Sequence, residues 1–399
     1  MLPPGFKDVV GEDAERINSA EALFLEVAST FGYAQVRSAP LSYVSDYLTF
    51  GSAAAGRIFD FVDRGGRHVA LTANALVALL RAVSGADALR PAEPTLVAAA
   101  VTVARHQRKP LRSWTQLVAT MCNEPDEFAA QLTMLRLWAA LLAGTGCVVT
   151  LRDHRVVDTL ADECGLGATE ARDILHRWRK GEEPAGDAAQ LCDRLSRLSK
   201  IDHDQPVTAQ LREVTALEPA LTGRGAQVDR VMRYLDRVGL PCRLDWNLAD
   251  VTEYRSDLCF EITDPGGQVV AEGGGYHALA GGLGTGASTC WSTAGSAERM
   301  AALLAPSGTP MVHLLDLQCA DDDFFLAAAA ALRRSGYRVR ERWGVTRLGN
   351  VLSHLPVTDE SWFAVVGPQE CAGRTLTLQH SARTAAPRQL TVPLTNVEE

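Results

Sequence analysis

The sequence predicts an α+β protein: a helix-flanked sheet interrupted by a helical insertion and followed by a small α/β domain. Three observations lead there. Residues 101–117, VTVARHQRKPLRSWTQL, have the outline of two antiparallel strands joined by a basic loop. Residues 154–239 turn helical and charged between segments that read as strands. From residue 311 onward, strands and helices alternate, the pattern of a mostly parallel sheet. At 399 residues the chain exceeds what one domain usually carries. The expected domains are residues 1–152 with 240–305, the helical insertion 153–239, and 309–399.

Along the chain, Ile17, Ala20, Phe24, Val27 and Phe31 recur at helical spacing and predict a helix over 13–30, stopped by Gly32. A strand over 33–38 then runs to Pro40. Residues 57–63 and 68–71 make a hairpin across Arg64-Gly65-Gly66, and a short helix occupies 74–83. The basic hairpin follows, then an amphipathic helix over 124–143 and a strand over 147–152. Helices of the insertion fall near 168–180, 187–198 and 225–238. Strands resume at 242–246, 258–263 and 268–271. Gly273-Gly274-Gly275-Tyr276 reads as a glycine-rich turn, a helix covers 296–304, and Pro306-Ser307-Gly308 is the expected linker. In the last part, strands over 311–317, 337–343 and 362–367 alternate with helices over 324–334 and 348–354, before a hairpin over 375–394. Asp321-Asp322-Asp323 reads as the cap of the first of these helices, where the dipole favours acids.

Composition narrows the function. A hydrophobic content of 47% with 22% charged residues is ordinary for a globular protein. No apolar run reaches the roughly 18–20 residues of a membrane span. The N-terminus MLPPGFKDVVGEDAER lacks the apolar core of a signal peptide, so a cytoplasmic protein is expected. A net charge of −9 argues against a broad nucleic-acid surface. The nine cysteines are scattered without a CxxC pair, which suits reduced, mostly buried thiols. The histidines show no HxH or HxxxH, so no metal site is expected.

Arg105, Arg108, Lys109 and Arg112 crowd the hairpin turn. Guanidinium groups held over a sheet can grip an anion, typically a phosphate, through bidentate bonds. A solvated basic loop is the competing reading. The Gly273–Gly275 run lacks the Lys-Ser/Thr of a phosphate loop, so close strand packing is its simpler role. His106 and His277 are tempting acid–base groups, although a lone histidine is usually structural.

The order of these pieces resembles histidyl-tRNA synthetase, a class II aminoacyl-tRNA synthetase, and its paralogue, the regulatory subunit of ATP phosphoribosyltransferase. PPGFKDVVGEDAERINSAEALFLEVASTFGYAQVRSAPL is similar to the family's opening segment and motif 1, with Pro40 as the motif proline. FDFVDRGGRHVALTANALVALLR, VTVARHQRKPLRSWTQL, CFEITDPGGQVVAEGGGYHAL and STAGSAERMAALL follow in the family's order, the second as motif 2 and the last as motif 3. The final ninety or so residues resemble the anticodon-binding domain. The resemblance implies a class II antiparallel sheet, a homodimer formed through motif 1, and a pocket for ATP or another nucleotide and an amino-acid-like ligand.

Its departures are as informative. By alignment with the family, the motif 2 arginine is Thr102 and the glutamate two residues on is Ala104. The family-specific catalytic arginine is Asp250, which replaces attraction to a phosphate by repulsion. Asn74 stands for the carboxylate that holds the α-ammonium, and Leu76 for its threonine neighbour. Thr120 replaces a pocket glutamate, while GGRYD has become GGGYH, with Gly275 and His277. Gln116, Tyr254, Tyr276 and Arg299 remain, with Arg112 in the loop, and Arg105 or Arg108 could supply a substitute cation. Losing several such groups exceeds what adenylation tolerates, since one oxyanion-type contact alone is worth roughly 3 kcal/mol.

The resemblance therefore implies a scaffold that does not make histidyl-tRNA. The first reading is a regulatory or partner-binding protein, its partner a catalytic phosphoribosyltransferase and its pocket sensing a small ligand or vestigial. The second is a repurposed ligase or transferase in specialised metabolism, with Asn74, Asp250, Tyr254, Arg255 and His277 lining an altered amino-acid or aminoacyl pocket. A tRNA-binding protein without chemistry is the weakest, given the acidic balance.

Overall fold

Helix α1 (Glu12–Thr30) buries Ala20, Phe24 and Ala28 in one stripe and carries Glu12, Asp13 and Glu15 in its first turn. It belongs to the first of two units in the computed structural model, Met1–Ala305; the second is Pro306–Glu399. The structure describes residues 2–48, 56–85, 93–106, 111–223, 225–248, 256–304, 310–317, 321–355, 361–381 and 387–391.

The first unit continues with β1 (Ala34–Gln35), β2 (Leu41–Tyr43), α2 (Val44–Leu48), β3 (Asp60–Val62), β4 (His68–Leu71) and α3 (Ala75–Gly85). The long hairpin β5 (Thr95–Ala104) and β6 (Ser113–Cys122) comes next, then α4 (Glu127–Leu142) and β7 (Val148–Asp153). The insertion supplies α5 (Arg155–Glu163), α6 (Ala168–Arg179), α7 (Asp187–Leu198), α8 (Val207–Leu217) and α9 (Gly225–Arg237). Strands β8 (Cys242–Leu244), β9 (Ser256–Thr263) and β10 (Val269–Gly275) follow, then α10 (His277–Gly282), β11 (Cys290–Ser296) and α11 (Ala297–Leu303).

The main sheet runs β1-β5-β6-β11-β10-β9-β7-β8. Its central strands pair antiparallel, and only the edges, β1 on β5 and β8 on β7, are parallel. Strand alternation sorts the side chains between two layers. Leu117, Ala119 and Met121 face Phe24 of α1 and Trp138 of α4. Val97, Ala99, Val101 and Val118 face Ala75, Leu79 and Val83 around α3. The second layer carries the candidate site.

The insertion is tied down by a charged network rather than by apolar packing alone. Arg155 binds Asp153 in a fork, 2.7 Å on each arm, and reaches Glu127 of α4 at 2.7 Å. Gln227 of α9 donates to Gln131 of α4 at 3.2 Å. Fixed geometry of this kind makes an ion pair worth more than a loose surface one.

The second unit holds β12 (Met311–Asp316), α12 (Asp322–Arg334), β13 (Arg338–Arg342), α13 (Leu348–Leu352), β14 (Ser361–Val366), α14 (Pro368–Gly373), β15 (Thr375–His380) and β16 (Arg388–Thr391). Its sheet runs β13-β12-β14-β15-β16. Strand β12 is parallel to β13 and β14, but β14–β15 and β15–β16 are antiparallel, so the sheet is mixed rather than mostly parallel. Asp321 Oδ1 accepts from the Phe324 N–H at 2.9 Å, the helix cap expected for the acidic run.

Several elements differ from expectation. The 33–38 strand shrinks to Ala34–Gln35. Gly273–Gly275 lie inside β10, not in a turn. Strands β2 and β11 and helices α2, α5, α8, α10 and α14 have no counterpart in the expected elements. The glycines of β10 and β11 serve close packing: a Cβ on Gly273 would lie 2.5 Å from Phe260, and one on Gly295 2.4 Å from Trp138. Among the described residues seven cysteines are free thiols, but Cys371 is in a disulfide, which corrects the expectation of reduced thiols. The 306–308 linker lies outside the described residues. Among the described residues, no helix is long and apolar enough to cross a membrane.

Candidate functional site

The candidate site lies on the α3 side of the sheet, where β6, β11 and β10 present alternate side chains. Register fixes which ones. Val101 pairs with Gln116 and Thr102 with Thr115, so Thr102 projects from the opposite face to Gln116. There it lines a cleft of about 490 Å3 with Lys7, Asp13, Arg16 and Glu298, on the α1 side. Thr102 therefore lies across the sheet from Asn74 and Gln116 rather than beside them.

Arg105 does face α3. The Arg105 N–H continues the hairpin ladder to the Arg112 carbonyl at 2.8 Å. Its Nε donates to the Ala73 carbonyl at 2.6 Å, and its guanidinium lies 5.2 Å from the Trp114 ring centroid. Those contacts orient a cation beside the start of α3. Arg112 sits instead under the N-terminal turn: its N–H donates to Gly5 at 2.8 Å, and its side chain fills the space that a Cβ on Gly5 would need.

Asn74 and Gln116 converge on the same helix terminus. Asn74 Oδ1 accepts from the Leu76 N–H at 2.9 Å, and Gln116 Oε1 from the Ala75 N–H at 3.0 Å. Both satisfy donors that a helix start leaves orphaned. The neighbouring volume is apolar: Leu76 and Tyr276 pack with Tyr47, Cys122, Leu279 and Cys290. Cys122 and Cys290 stand opposite each other across β6 and β11. Their contact holds the Cys122 thiol below its ordinary range and pushes that of Cys290 up. Thr120 Oγ1 and Ser292 Oγ close the floor with a buried bond of 2.8 Å.

His277 is held on both ring nitrogens. The Cys290 N–H can only donate, so Nδ1 is the acceptor at 2.9 Å and the ring proton sits on Nε2, 3.0 Å from Asp257 Oδ2. Asp257 adopts a left-handed φ of 65°, uncommon for a residue with a Cβ. Sequence reasoning missed this partner, because no local pattern announces a left-handed aspartate. Arg299 turns its Nη1 onto the Val269 carbonyl of β10. Glu261 and Glu272 pair across β9 and β10, and register puts Glu272 on the Gln116 face. The alternation within VVAEGGG carried that signal, hidden by the assumption of a turn.

The structure thus gathers Asn74, Arg105 and Gln116 at one helix start and places Tyr276 and His277 at the adjoining start of α10. Arg112 and Arg299 are engaged elsewhere, and Asp250, Tyr254 and Arg255 lie outside the described residues. No group of three or more His, Cys, Asp or Glu among the described residues could hold a metal ion. Chemically, the arrangement offers a cation for an anionic group but no carboxylate at position 74 for an ammonium.

The sheet, the insertion and the site invite comparison with known proteins. The family model for histidyl-tRNA synthetase matches residues 5–293. A histidine–tRNA ligase of Methanocorpusculum labreanum is 24% identical over 395 residues, covering 95% of this chain and 94% of its own. One from Halorhodospira halophila is 26% identical over 329 residues, covering 77% and 74%. Among solved structures, histidyl-tRNA synthetase of Nostoc sp. PCC 7120 superposes with a TM-score of 0.77 at 15% identity, covering 98% of this chain and 97% of that one. A Bacillus halodurans protein described as an ATP phosphoribosyltransferase regulatory subunit/histidyl-tRNA synthetase gives 0.71 at 16% identity, covering 92% and 97%. With its family model matched across nearly the whole of the first unit, the chain belongs to the histidyl-tRNA synthetase family.

Proposed function

We propose that this chain is a non-aminoacylating member of the family, acting as a regulatory or partner-binding subunit like that of ATP phosphoribosyltransferase. One observation carries the reading. The residue in the ammonium carboxylate's place, Asn74, spends its side-chain oxygen on capping α3, beside an apolar cluster that contains Leu76 and Tyr276. A buried ammonium without a carboxylate partner is costly. The proposal includes a homodimer and a cytoplasmic location, with a short-form phosphoribosyltransferase as the partner.

Arg105 favours a second reading. A guanidinium held beside the start of α3 supports a ligase or transferase on an altered amino-acid-like or aminoacyl substrate. ATP–pyrophosphate exchange with histidine and a panel of other amino acids separates the two. The regulatory reading expects no exchange with any of them, together with faster turnover of the phosphoribosyltransferase when this chain is added. Robust exchange with any amino acid removes the regulatory reading.

A further inference from the structure

A groove of about 300 Å3 opens between α4 and α9, away from the candidate site, lined by Phe128, Leu132, Arg230, Arg233, Tyr234 and Arg237. The four residues from α9 recur at i, i+3, i+4 and i+7, so they share one face of the helix. Val228, Val231 and Leu235 turn the other way, into the core. Arg230 lies over the Phe128 ring at 3.9 Å from its centroid, and its side chain remains exposed. Arg233 is paired with Asp229 at 2.8 Å, while Arg237 forms no ion pair among the described residues. Asp236 is the other acid on the helix, and it is exposed.

From this geometry we infer that the groove docks an acidic amphipathic segment of a partner protein. Three observations select that occupant. The arginines spread over eight residues of α9, about 10 Å along its axis, which matches carboxylates repeated along a segment rather than one compact anion. The floor between them is apolar and aromatic, with Phe128, Leu132 and Tyr234 half-buried and ready to receive one aliphatic or aromatic anchor. Arginine beside partly exposed aromatic side chains is also the composition that concentrates binding energy at protein interfaces. A local patch of three cations on a chain of net charge −9 attracts an acidic segment, while the rest of the surface repels a long polyanion such as RNA. The groove adjoins the Gln227–Gln131 bond and the Arg155–Glu127 pair, so an occupant bears directly on the junction between insertion and sheet.

The inference rests on the partner-binding reading for its purpose but not for its test. A fluorescein-labelled helical peptide, carrying three glutamates at the spacing of the arginines around one leucine, is titrated against the full chain by anisotropy. Binding is expected, and it weakens at least tenfold in the Arg230→Glu/Arg237→Glu variant, whose thermal melt matches the parent. The same variant is expected to bind the peptide with lysines in place of the glutamates better than the parent does. Equal binding by parent and variant, or none up to millimolar peptide, overturns the inference. So does a twelve-nucleotide RNA that binds more tightly through the same arginines, or pyrophosphate that displaces the peptide as well as unlabelled peptide does. Pyrophosphate exchange tests the non-aminoacylating reading independently. Exchange with retained peptide binding sinks that reading alone, and absent peptide binding without exchange sinks the groove alone.

Discussion

Arg105 and Gln116, on opposite strands of one hairpin, reach the same helix start. Arg105 Nε donates to the Ala73 carbonyl at 2.6 Å, and Gln116 Oε1 accepts from the Ala75 N–H at 3.0 Å. The hairpin therefore does two jobs at one place. It seals the terminus of α3, and it holds a guanidinium beside that terminus. A guanidinium is thus held at one side of this helix start, while Asn74 caps it and Leu76 packs into the apolar cluster beside it.

If that guanidinium contacts phosphate, Arg105→Ala weakens ATP binding by about tenfold or more, since a hydrogen bond to a charged group is worth about 1.5–3 kcal/mol. Thr102→Ala leaves it unchanged, because Thr102 projects from the other face. Calorimetry on both variants decides the matter. ATP affinity that survives the loss of Arg105, or that is absent from the parent, removes the phosphate role.

The capping role makes a separate prediction about stability. Asn74→Ala and Gln116→Ala each remove an acceptor from the first turn of α3, and each is expected to lower stability by about 1 kcal/mol. Because both serve one terminus, their effects are expected to be non-additive in a double-mutant cycle. Urea titration reads this directly. Variants as stable as the parent would mean that water caps the helix equally well.

Much of the architecture was legible in the sequence because it is local. The spacing of Ala20, Phe24 and Ala28, the alternation around Val101 and Val103, and the aspartates before Phe324 each carry their structure within a few residues. Strand β11 was not legible: CWSTAGS is short and small, and it is a strand because β6 and β10 pair with it on both sides. The site divided in the same way. Asn74 was found by alignment, but its capping role depends on the turn geometry of one helix start. The face that Thr102 takes was not legible from the sequence, because a one-residue shift in a strand moves a side chain to the other face. Only pairing with β6 fixes that parity. Asp257 could not be anticipated, since its left-handed backbone and its hold on His277 both come from tertiary contacts.

Gly295 tests whether the glycine-rich strands are packing devices. A Cβ there would stand 2.4 Å from Trp138 Cη2 and 2.9 Å from the Val270 carbonyl. Trp138 cannot yield easily, because its Nε1 donates to Thr293 Oγ1 at 2.6 Å and its ring is fully buried. Gly295→Ala is therefore expected to cost about 1–3 kcal/mol through overpacking. A Trp138→Phe change, which removes the clashing atoms, is expected to recover part of that loss. A Gly295→Ala variant that unfolds at the parent's urea midpoint would refute the packing account.

The second unit carries a pH dependence of its own. His313, in the middle of β12, is 2% exposed, and its Nδ1 has no hydrogen-bond partner. Burial, then the charges of Arg342 and Arg340, hold its imidazole below the ordinary value of 6.5. Unfolding releases it to that ordinary value, so below 6.5 the unfolded chain binds more protons than the folded one. Stability from this group is thus complete above 6.5, declines as pH falls, and levels off beneath the lowered folded value. Hydrogen exchange at the β12 amides isolates the effect, because it reads local opening within the sheet rather than the whole chain. Their opening free energy is expected to fall as pH drops from 6.5 in the parent. In His313→Leu, which removes both the titration and the unpaired nitrogen, that slope disappears without loss of stability at neutral pH. A slope that persists in the leucine variant assigns the pH dependence to some other group.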